Sequence, residues 1–490
     1  MTKKSQVLLP SNKKVIWQPQ PKQALVMSRG EYEILYGGAA GGGKSDYLVV
    51  EALRQIQNRH YRGIIIRKTY PQLQDIIDRS MELYPVACRG ARYNKSEHCW
   101  TFPSGAKIYF GSMQHTQDKH KYQGRHYDFI GFDELTHFTY DEYNYLFTRN
   151  RPSGPGTRCY IRSTANPGGI GHGWVKERFV TRAKPGTTIR ELVEVSDPNG
   201  KLIKMMKTRA YIRATVFDNK KLLENDPNYL ASLAMRPAKD RDALLYGDWD
   251  SFEGQVFTEF TDDPDGYDTQ KRTHVINPFP IPESWKIYRG FDFGYAKPFS
   301  VGWYAVDHDG CIYRIKEFYG CTKEPNTGIK IEPAEIAIQI KEIEDATPDL
   351  KGRRISGIAD PSIFDESRGE SIGAIMERFR VYWEPGDNTR LAGKMQYHYR
   401  FAFDKNGRAR FYVFNTCEHF IRTIPSLVYD EKRVEDVDTS QEDHIYDECR
   451  YVLMANPIAP RKNELEKRIV REDPLDQYKK PDDKYYFYRL

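Results

Sequence analysis

The run Gly38-Ala39-Ala40-Gly41-Gly42-Gly43-Lys44-Ser45 fits the pattern G-x-x-x-x-G-K-[ST] at every position. Small residues there let the backbone approach a polyphosphate and point successive N–H groups at it. A following helix adds partial positive charge at its N-terminus. In such a loop Lys44 reaches the β- and γ-phosphates of ATP, and the Ser45 hydroxyl takes a Mg²⁺ position. A second element completes this chemistry: Tyr127-Asp128-Phe129-Ile130-Gly131-Phe132-Asp133-Glu134 is an apolar run ending in two carboxylates. Asp133 is the expected Mg²⁺ partner, and Glu134 the group that orients or deprotonates an attacking water. The adjacent pair favours ATP hydrolysis over nucleotide binding alone.

Two weaker signals flank these elements. Ser163-Thr164-Ala165-Asn166-Pro167 offers Ser163, Thr164 and Asn166 as sensors of a γ-phosphate, or else forms an ordinary polar turn. Gln23 carries an amide able to read an adenine edge, although most glutamines are merely surface residues.

A separate set of carboxylates lies in the second half. Asp292 closes the run IYRGFD, Asp360 closes RISGIAD, and Asp443 and Asp447 stand four apart in a helix-like stretch, sharing one face. Carboxylates gathered this way repel unless cations neutralise them, and hard oxygen ligands select Mg²⁺ or Mn²⁺. Two such ions can activate water and stabilise the leaving oxygen in phosphodiester cleavage. The plainer alternative is that these aspartates form turns at strand ends.

The elements that must position these groups read as two different grammars. EYEILYGG, RGIIIRK, YDFIGFDE and TRCYIRSTANP are short apolar strands, and DYLVVEALRQIQ is a helix, so the first half predicts a mostly parallel sheet with helices. From about Lys176 to Trp249 the pattern is polar and more helical, which predicts a small lid or linker subdomain over 176–250. Thr258 to Trp285 is rich in Pro, Asp and turn residues and marks a boundary. YRGFDFG, SVGWYAVD and CIYRIKEFY then predict an antiparallel meander, followed by helices and the strand RISGIADP. The expected division is 1–257, a linker at 258–285, a second domain at 286–459 and a tail at 460–490.

Composition agrees with this. The 490 residues suit roughly two or three domains, and a mean hydropathy of −0.71 with 13% aromatics describes a soluble globular chain. No run approaches the roughly 18 apolar residues of a membrane span, and the start lacks the apolar region of a secretory signal, so no membrane role is expected. Lys and Arg number 74 against 68 Asp and Glu, a net charge of +6, compatible with nucleic-acid binding without indicating it. The seven cysteines form no C-x-x-C pair and are expected to be reduced thiols, with neither disulfides nor zinc.

In their order along the chain, PKQ at Gln23, GGAAGGGKS, IIIRKTYPQL, YDFIGFDE, STANPGGIGHGWVKERF, LYGDWD, RGFDFG, IADPS and DHIYDECRY resemble the large terminase subunit of tailed bacteriophages. The resemblance implies an N-terminal P-loop ATPase domain with a mostly parallel sheet, a small helical lid and a C-terminal RNase H-like nuclease with a mixed sheet. It implies that Gln23 contacts adenine and that Gly38, Gly41, Gly42, Gly43, Lys44 and Ser45 grip the phosphates. Asp133 and Glu134 then serve Mg²⁺ and water, while Ser163 to Asn166 couple hydrolysis to movement. Asp292, Asp360 and Asp443 match the carboxylates that hold two Mg²⁺ or Mn²⁺ ions, and Asp447 matches a further acidic position of the same motif. A ring ATPase also needs an arginine finger. Arg125 is the first candidate and Arg67 the second, although Gln123, where the family often has arginine, precedes Gly124.

The implied function is translocation of double-stranded DNA into a procapsid and cutting of the concatemer, as a homo-oligomeric ring with the portal protein and a small terminase subunit. The implied place is the host cytoplasm, docked transiently on the procapsid and absent from the mature virion. Two competing expectations are a helicase- or repair-type ATPase fused to an RNase H-like nuclease, and a non-catalytic adaptor with a degenerate ATPase core. No helicase motif set is evident beyond the nucleotide site, and intact Lys44, Asp133 and Glu134 argue against the adaptor.

Overall fold

The computed structural model describes residues 15–459, apart from 40, 200, 227, 236–240, 242–244, 251, 253, 368 and 431. The start of the chain and the expected tail at 460–490 lie outside the described residues.

The first half builds one nine-stranded sheet in the order β3-β4-β5-β2-β6-β7-β1-β9-β8. Its strands are β1 (Glu33–Gly38), β2 (Arg62–Arg67), β3 (Arg92–Asn94), β4 (Cys99–Thr101), β5 (Lys107–Ser112), β6 (Phe129–Phe132), β7 (Tyr160–Ala165), β8 (Thr188–Ser196) and β9 (Leu202–Ala214). β5, β2, β6, β7, β1 and β9 run parallel. β1 and β6 are buried along their whole length, which is why they read as continuous apolar runs. Helices α1 (Pro21–Ser28), α2 (Lys44–Glu51), α3 (Tyr70–Ala87) and α4 (Tyr140–Phe147) accompany this sheet, and two apolar clusters fill its faces, one around Ile65, Leu48 and Trp100 and the other around Ile66, Phe132 and Trp174.

The segment expected to be polar and helical divides differently. After α5 (His172–Val175) and a wider helical turn at Lys176–Val180, residues 188–214 form the antiparallel hairpin β8–β9, and only then come the short helices α6 (Lys220–Asn225) and α7 (Asn228–Ala234). The base of β9 pairs with β1 and extends the main sheet. Nearly all of β8 and the first half of β9 lie open to solvent, so their side chains carry none of the one-sided alternation that announces a strand.

The second sheet is mixed, in the order β10-β16-β13-β12-β11-β14-β15. It comprises β10 (Val275–Ile276), β11 (Lys286–Asp292), β12 (Ser300–Val306), β13 (Ile312–Tyr319), β14 (Ile355–Ala359), β15 (Glu384–Pro385) and β16 (Phe411–Phe414). β11, β12 and β13 form the expected meander, and β14 adds parallel to β11. The central order β13-β12-β11-β14-β15 is the RNase H-like arrangement, so the α/β class expected for both halves is the one found. The helix His444–Ala455 packs across β11 and β12.

The boundary region departs from expectation. Thr258–Trp285 is not a free linker: Phe260, Val275, Ile276 and Ile281 belong to the core of the second half, and β10 pairs with β16. Val256 and Phe257, assigned to the first domain from the sequence, join the same core. The turn-rich composition is real, but its scattered apolar residues anchor the segment. All seven cysteines are free thiols. Among the described residues no helix is long and apolar enough to cross a membrane.

Candidate functional site

β7 lies between β1 and β6, so the ends of three parallel strands stand side by side. The glycine loop leaves β1, the two carboxylates leave β6, and Thr164 to Asn166 close β7. Two loop glycines are forced by geometry. Gly38 has φ +131° and a Cβ there would meet the Ala214 carbonyl oxygen at 2.3 Å; Gly43 has φ +72° and its Cβ would meet the Gln23 amide at 2.8 Å.

Hydrogen bonds tie the three ends together. Ser45 Oγ donates to Asp133 Oδ1 at 2.9 Å, and Thr164 Oγ1 donates to the same oxygen at 2.6 Å. Arg67 Nη1 faces the other oxygen, Asp133 Oδ2, at 3.0 Å. Lys44 Nζ donates to Asn166 Oδ1 at 2.8 Å and to the Ala39 carbonyl. Asn166 in turn donates its Nδ2 to Glu134 Oε1 at 2.8 Å and its backbone N–H to Glu134 Oε2 at 2.9 Å. Asn166 therefore stands between the lysine and the glutamate. Glu134 has φ +55°, a left-handed backbone that a side-chain-bearing residue adopts at a cost and that aims its carboxylate at Asn166.

Burial sets the charges here. It pushes the Asp133 carboxyl up, helped by the neighbouring Glu134 and opposed by Arg67, Thr164 and Ser45. It also pushes the Lys44 ammonium down, while Glu134 and Asp133 pull it back up. The Ser45 hydroxyl and the Asp133 carboxylate, hard oxygen donors already in contact, suit a Mg²⁺ ion.

Other expected residues fall in different places. Gln23 sits under the loop, donating Nε2 to the Gly43 carbonyl at 2.8 Å and accepting from the Gln20 N–H, so half of its hydrogen-bonding capacity is used. Ser163 does not join the network; its hydroxyl is buried and, among the described residues, meets no hydrogen-bond partner, unlike Thr164. Arg125 is not at this site within the chain. It precedes the start of β6, whose four residues span about 13 Å before Asp133, and lines a surface cavity with Arg62, Lys107 and Tyr109. Arg67, the second candidate, holds the position beside Asp133. No sequence signal pointed to Asn219, whose Nδ2 donates to the Gly41 carbonyl at 2.7 Å; Gly247, packed against Gly38 and Ala39, lies in the run LYGDWD, which gave that residue no role. Each is a lone polar or small residue in a segment of unclear periodicity.

The second constellation forms at the ends of β11 and β14 and the start of the helix His444–Ala455. Asp292 ends β11, Asp360 follows β14, and Asp443 precedes the helix. Burial pushes the Asp292 carboxyl up to about 6, with Asp447 and Asp360 adding to the effect and His444 opposing it. Burial, then the charges of Asp447 and Asp292, push Asp443 up to about 8. Asp292 thus feels the charges of Asp447 and Asp360, and Asp443 those of Asp447 and Asp292. Their contacts differ. His444 Nδ1 lies 3.2 Å from Asp292 Oδ2. Asp360 accepts from the Ser362 N–H and the Tyr451 hydroxyl, which hold its carboxyl low against burial. Asp447 is engaged by Arg390 at 3.1 Å and by Arg450 at 2.9 Å. Among the described residues no three acidic, histidine or cysteine side chains converge tightly enough to clasp an ion as they stand. Of the four, the buried Asp443 and the half-buried Asp292 are held by no arginine among the described residues, and these fit an ion best; Asp447 is already neutralised by two arginines.

Over residues 35–261 the chain matches the family described as terminase large subunit, T4likevirus-type, N-terminal. No curated protein matches it. Solved structures similar to it include the large terminase of a thermophilic bacteriophage, at 18% identity over 89% of this chain and 98% of that one, TM-score 0.37. The HK97 bacteriophage large terminase is similar at 10% identity over 90% and 95%, TM-score 0.45. The P22 large terminase nuclease domain is similar at 16% identity over 41% of this chain and 92% of that one, TM-score 0.31.

Proposed function

We infer that this chain, which matches the terminase large-subunit family over residues 35–261, is a DNA-packaging motor of that family. It hydrolyses ATP to drive double-stranded DNA into a procapsid and cuts the concatemer with a metal-dependent endonuclease. The observation that carries the reading is the bridge from Lys44 through Asn166 to Glu134, beside the Ser45–Asp133–Thr164 cluster. It links a phosphate grip, a candidate base and a side chain that contacts both, on three adjacent strand ends.

In this reading the backbone of Gly41 to Gly43 cradles the phosphates, Lys44 neutralises the β- and γ-phosphates, and Gln23 uses its remaining donor and acceptor on the adenine edge. Mg²⁺ at Ser45 and Asp133 supplies charge neutralisation at the phosphates. Glu134 accepts a proton from the attacking water. Thr164 and Asn166 pass the change at the γ-phosphate onward. Arg67 supports the site in cis, and Arg125, exposed at the far end of β6, serves as the arginine finger of a neighbouring subunit in a ring. Asp292, Asp360 and Asp443 hold two Mg²⁺ or Mn²⁺ ions for DNA cleavage, with Asp447 behind them. The portal protein and a small terminase subunit are the partners, met in the host cytoplasm on a procapsid that the motor later leaves.

The test is ATP-dependent packaging of DNA into purified proheads, with nuclease activity measured alongside. Packaging that requires portal, ATP and Lys44 supports the motor. Strand separation without packaging would instead favour a helicase- or repair-type ATPase.

A further inference from the structure

The segment Glu442-Asp443-His444 has the buried Asp443 at its centre, and each neighbour of Asp443 touches an element that in turn meets the first half of the molecule. Arg422 grips Glu442 with both arms of its guanidinium, Nη1 to Oε2 at 2.7 Å and Nη2 to Oε1 at 2.8 Å. The Tyr319 hydroxyl donates to the same carboxylate at 3.0 Å. Arg422 Nη1 also lies 3.7 Å from Glu177 Oε2, on the helical turn that continues α5. One guanidinium therefore faces two carboxylates, one from each domain.

That turn is linked back to the nucleotide site. The Gly171 N–H, just before α5, donates to the Thr136 carbonyl at 2.7 Å, and Thr136 Oγ1 donates to the Asn166 carbonyl at 2.9 Å. Gly173 of α5 packs so closely on the second domain that a Cβ there would meet Ser426 at 3.1 Å. On the other side of Asp443, His444 Nε2 lies 3.2 Å from Asn326 Oδ1. The loop that carries Asn326 also presents Glu324, which accepts from Asn144 of α4 at 3.4 Å.

We propose that Arg422 is a positioning residue for DNA cleavage: it holds Glu442, and through it Asp443, and its contact with Glu177 makes that hold depend on the ATPase domain. This rests on the nuclease reading given above. The bidentate grip on Glu442 is the stronger of the two, because paired N–H donors match a carboxylate in distance and direction. The Glu177 contact is charge attraction without a hydrogen bond. A small shift of α5 relative to Ser426 changes how the guanidinium is shared, and Asp443 lies one residue from the carboxylate that feels it.

The experiment titrates Mn²⁺ against DNA cleavage by the full chain, for the wild type, Arg422→Ala, Arg422→Lys, Glu177→Gln and Asp443→Asn. Arg422→Ala is expected to raise the Mn²⁺ midpoint by roughly tenfold or more, as loss of an outer-shell support does, with the maximal rate recovered at high metal. Arg422→Lys should restore part of the midpoint, and ATP turnover should be unchanged in both. Glu177→Gln should abolish any change in cleavage rate caused by a non-hydrolysable ATP analogue. An unchanged Mn²⁺ midpoint in Arg422→Ala overturns the proposal, as does cleavage lost at every metal concentration together with a lowered melting temperature. Unaltered cleavage by Asp443→Asn would instead sink the nuclease reading.

Discussion

Ser45 and Asp133 touch across an intervening strand. β7 separates the strands that deliver them, yet Ser45 Oγ lies 2.9 Å from Asp133 Oδ1, and Thr164 of β7 donates to that same oxygen. The site is thus assembled by the sheet itself, and removing one member should leave the others in place. Lys44→Ala is expected to lower ATP turnover by at least ~10²-fold, since the phosphates lose their main protein cation. Glu134→Gln should retain nucleotide binding and lose ~10²–10⁴-fold in turnover, because an amide accepts no proton from water. Binding and turnover measured separately check the pair; wild-type turnover in Glu134→Gln would remove Glu134 as the base.

Asn166 offers a finer test. Asn166→Asp places a second carboxylate where an amide now donates to Glu134 at 2.8 Å. The variant loses the N–H that holds Glu134 and sets a like charge against it, so ATP turnover is expected to fall by up to ~10²-fold with nucleotide binding retained. Wild-type turnover in Asn166→Asp would remove Asn166 from the bridge.

Much of this was legible in the sequence because its chemistry is local. Glycines with positive φ, a lysine and a hydroxyl at fixed spacing, and apolar runs ending in carboxylates all follow from rules a few residues long. The same holds for the meander that leads to Asp292. What stayed hidden depends on distant partners. The open β8–β9 hairpin exposes Leu192, Val195, Met205 and Met206 and so shows no buried face to read. β10 is two residues long and exists because β16 is there to pair with it. Sequence ranks Arg125 ahead of Arg67, yet the direction of β2 and β6 places Arg67 beside Asp133 and Arg125 at the far end. The neutralisation of Asp447 by Arg390 and Arg450 joins residues from two helices, and spacing revealed only its helical face.

Two buried histidines predict acid sensitivity. The Gly168 N–H donates to His172 Nδ1, so Nε2 carries the proton and donates to the Trp249 carbonyl at 3.0 Å. The Thr261 N–H fixes His274 the same way, with Nε2 facing the Phe401 carbonyl at 2.9 Å. Burial pushes His172 down from 6.5 to about 3 and His274 down to about 4. Both values are lowered on folding, so the unfolded chain takes up protons first as pH falls. The associated stability is complete above about pH 6.5 and is lost progressively towards pH 3 to 4, on the order of 5 kcal/mol at most for His172. Melting temperature followed from pH 7 to pH 4 should decline, and His274→Asn should flatten that decline. A flat wild-type profile would contradict the neutral, buried assignment.

Glu448 predicts a stability effect beneath the second constellation. It is fully buried, accepting from Arg314 at 2.7 Å and from the Tyr304 hydroxyl at 2.8 Å, and it fastens the helix His444–Ala455 to β12 and β13. Glu448→Ala leaves the buried Arg314 with only its longer contact to Glu317 at 3.5 Å, a loss of about 3 kcal/mol. Replacing Glu448 and Arg314 together by Met should recover much of this, because Glu317 keeps the His419 and Phe420 N–H groups. Urea unfolding of the wild type and the two variants checks it; a double variant as unstable as Glu448→Ala would show that the pair's worth is not its charge balance.

The aspartates of the second constellation should separate by their surroundings. Asp292→Ala, Asp360→Ala and Asp443→Ala are each expected to remove DNA cleavage while leaving ATP turnover largely intact, since all three lie on the second sheet's elements, away from Lys44 and Glu134. Cleavage should need Mg²⁺ or Mn²⁺ and fail in chelator. Asp447 differs because Arg390 and Arg450 already balance its charge, at 3.1 and 2.9 Å, whereas burial and neighbouring carboxylates push Asp443 up to about 8. A carboxylate whose charge is uncompensated gains most from a cation; one held by two guanidiniums has less to give. Asp447→Asn should therefore reduce cleavage less than Asp443→Asn and be partly rescued by raising the metal concentration, as expected of a group that orients a ligand from behind. Mn²⁺ titrated against cleavage for the two variants decides between them. If Asp447→Asn is inert at every concentration while Asp443→Asn still cuts, Asp447 is the ligand, and its two arginines must release it when metal binds.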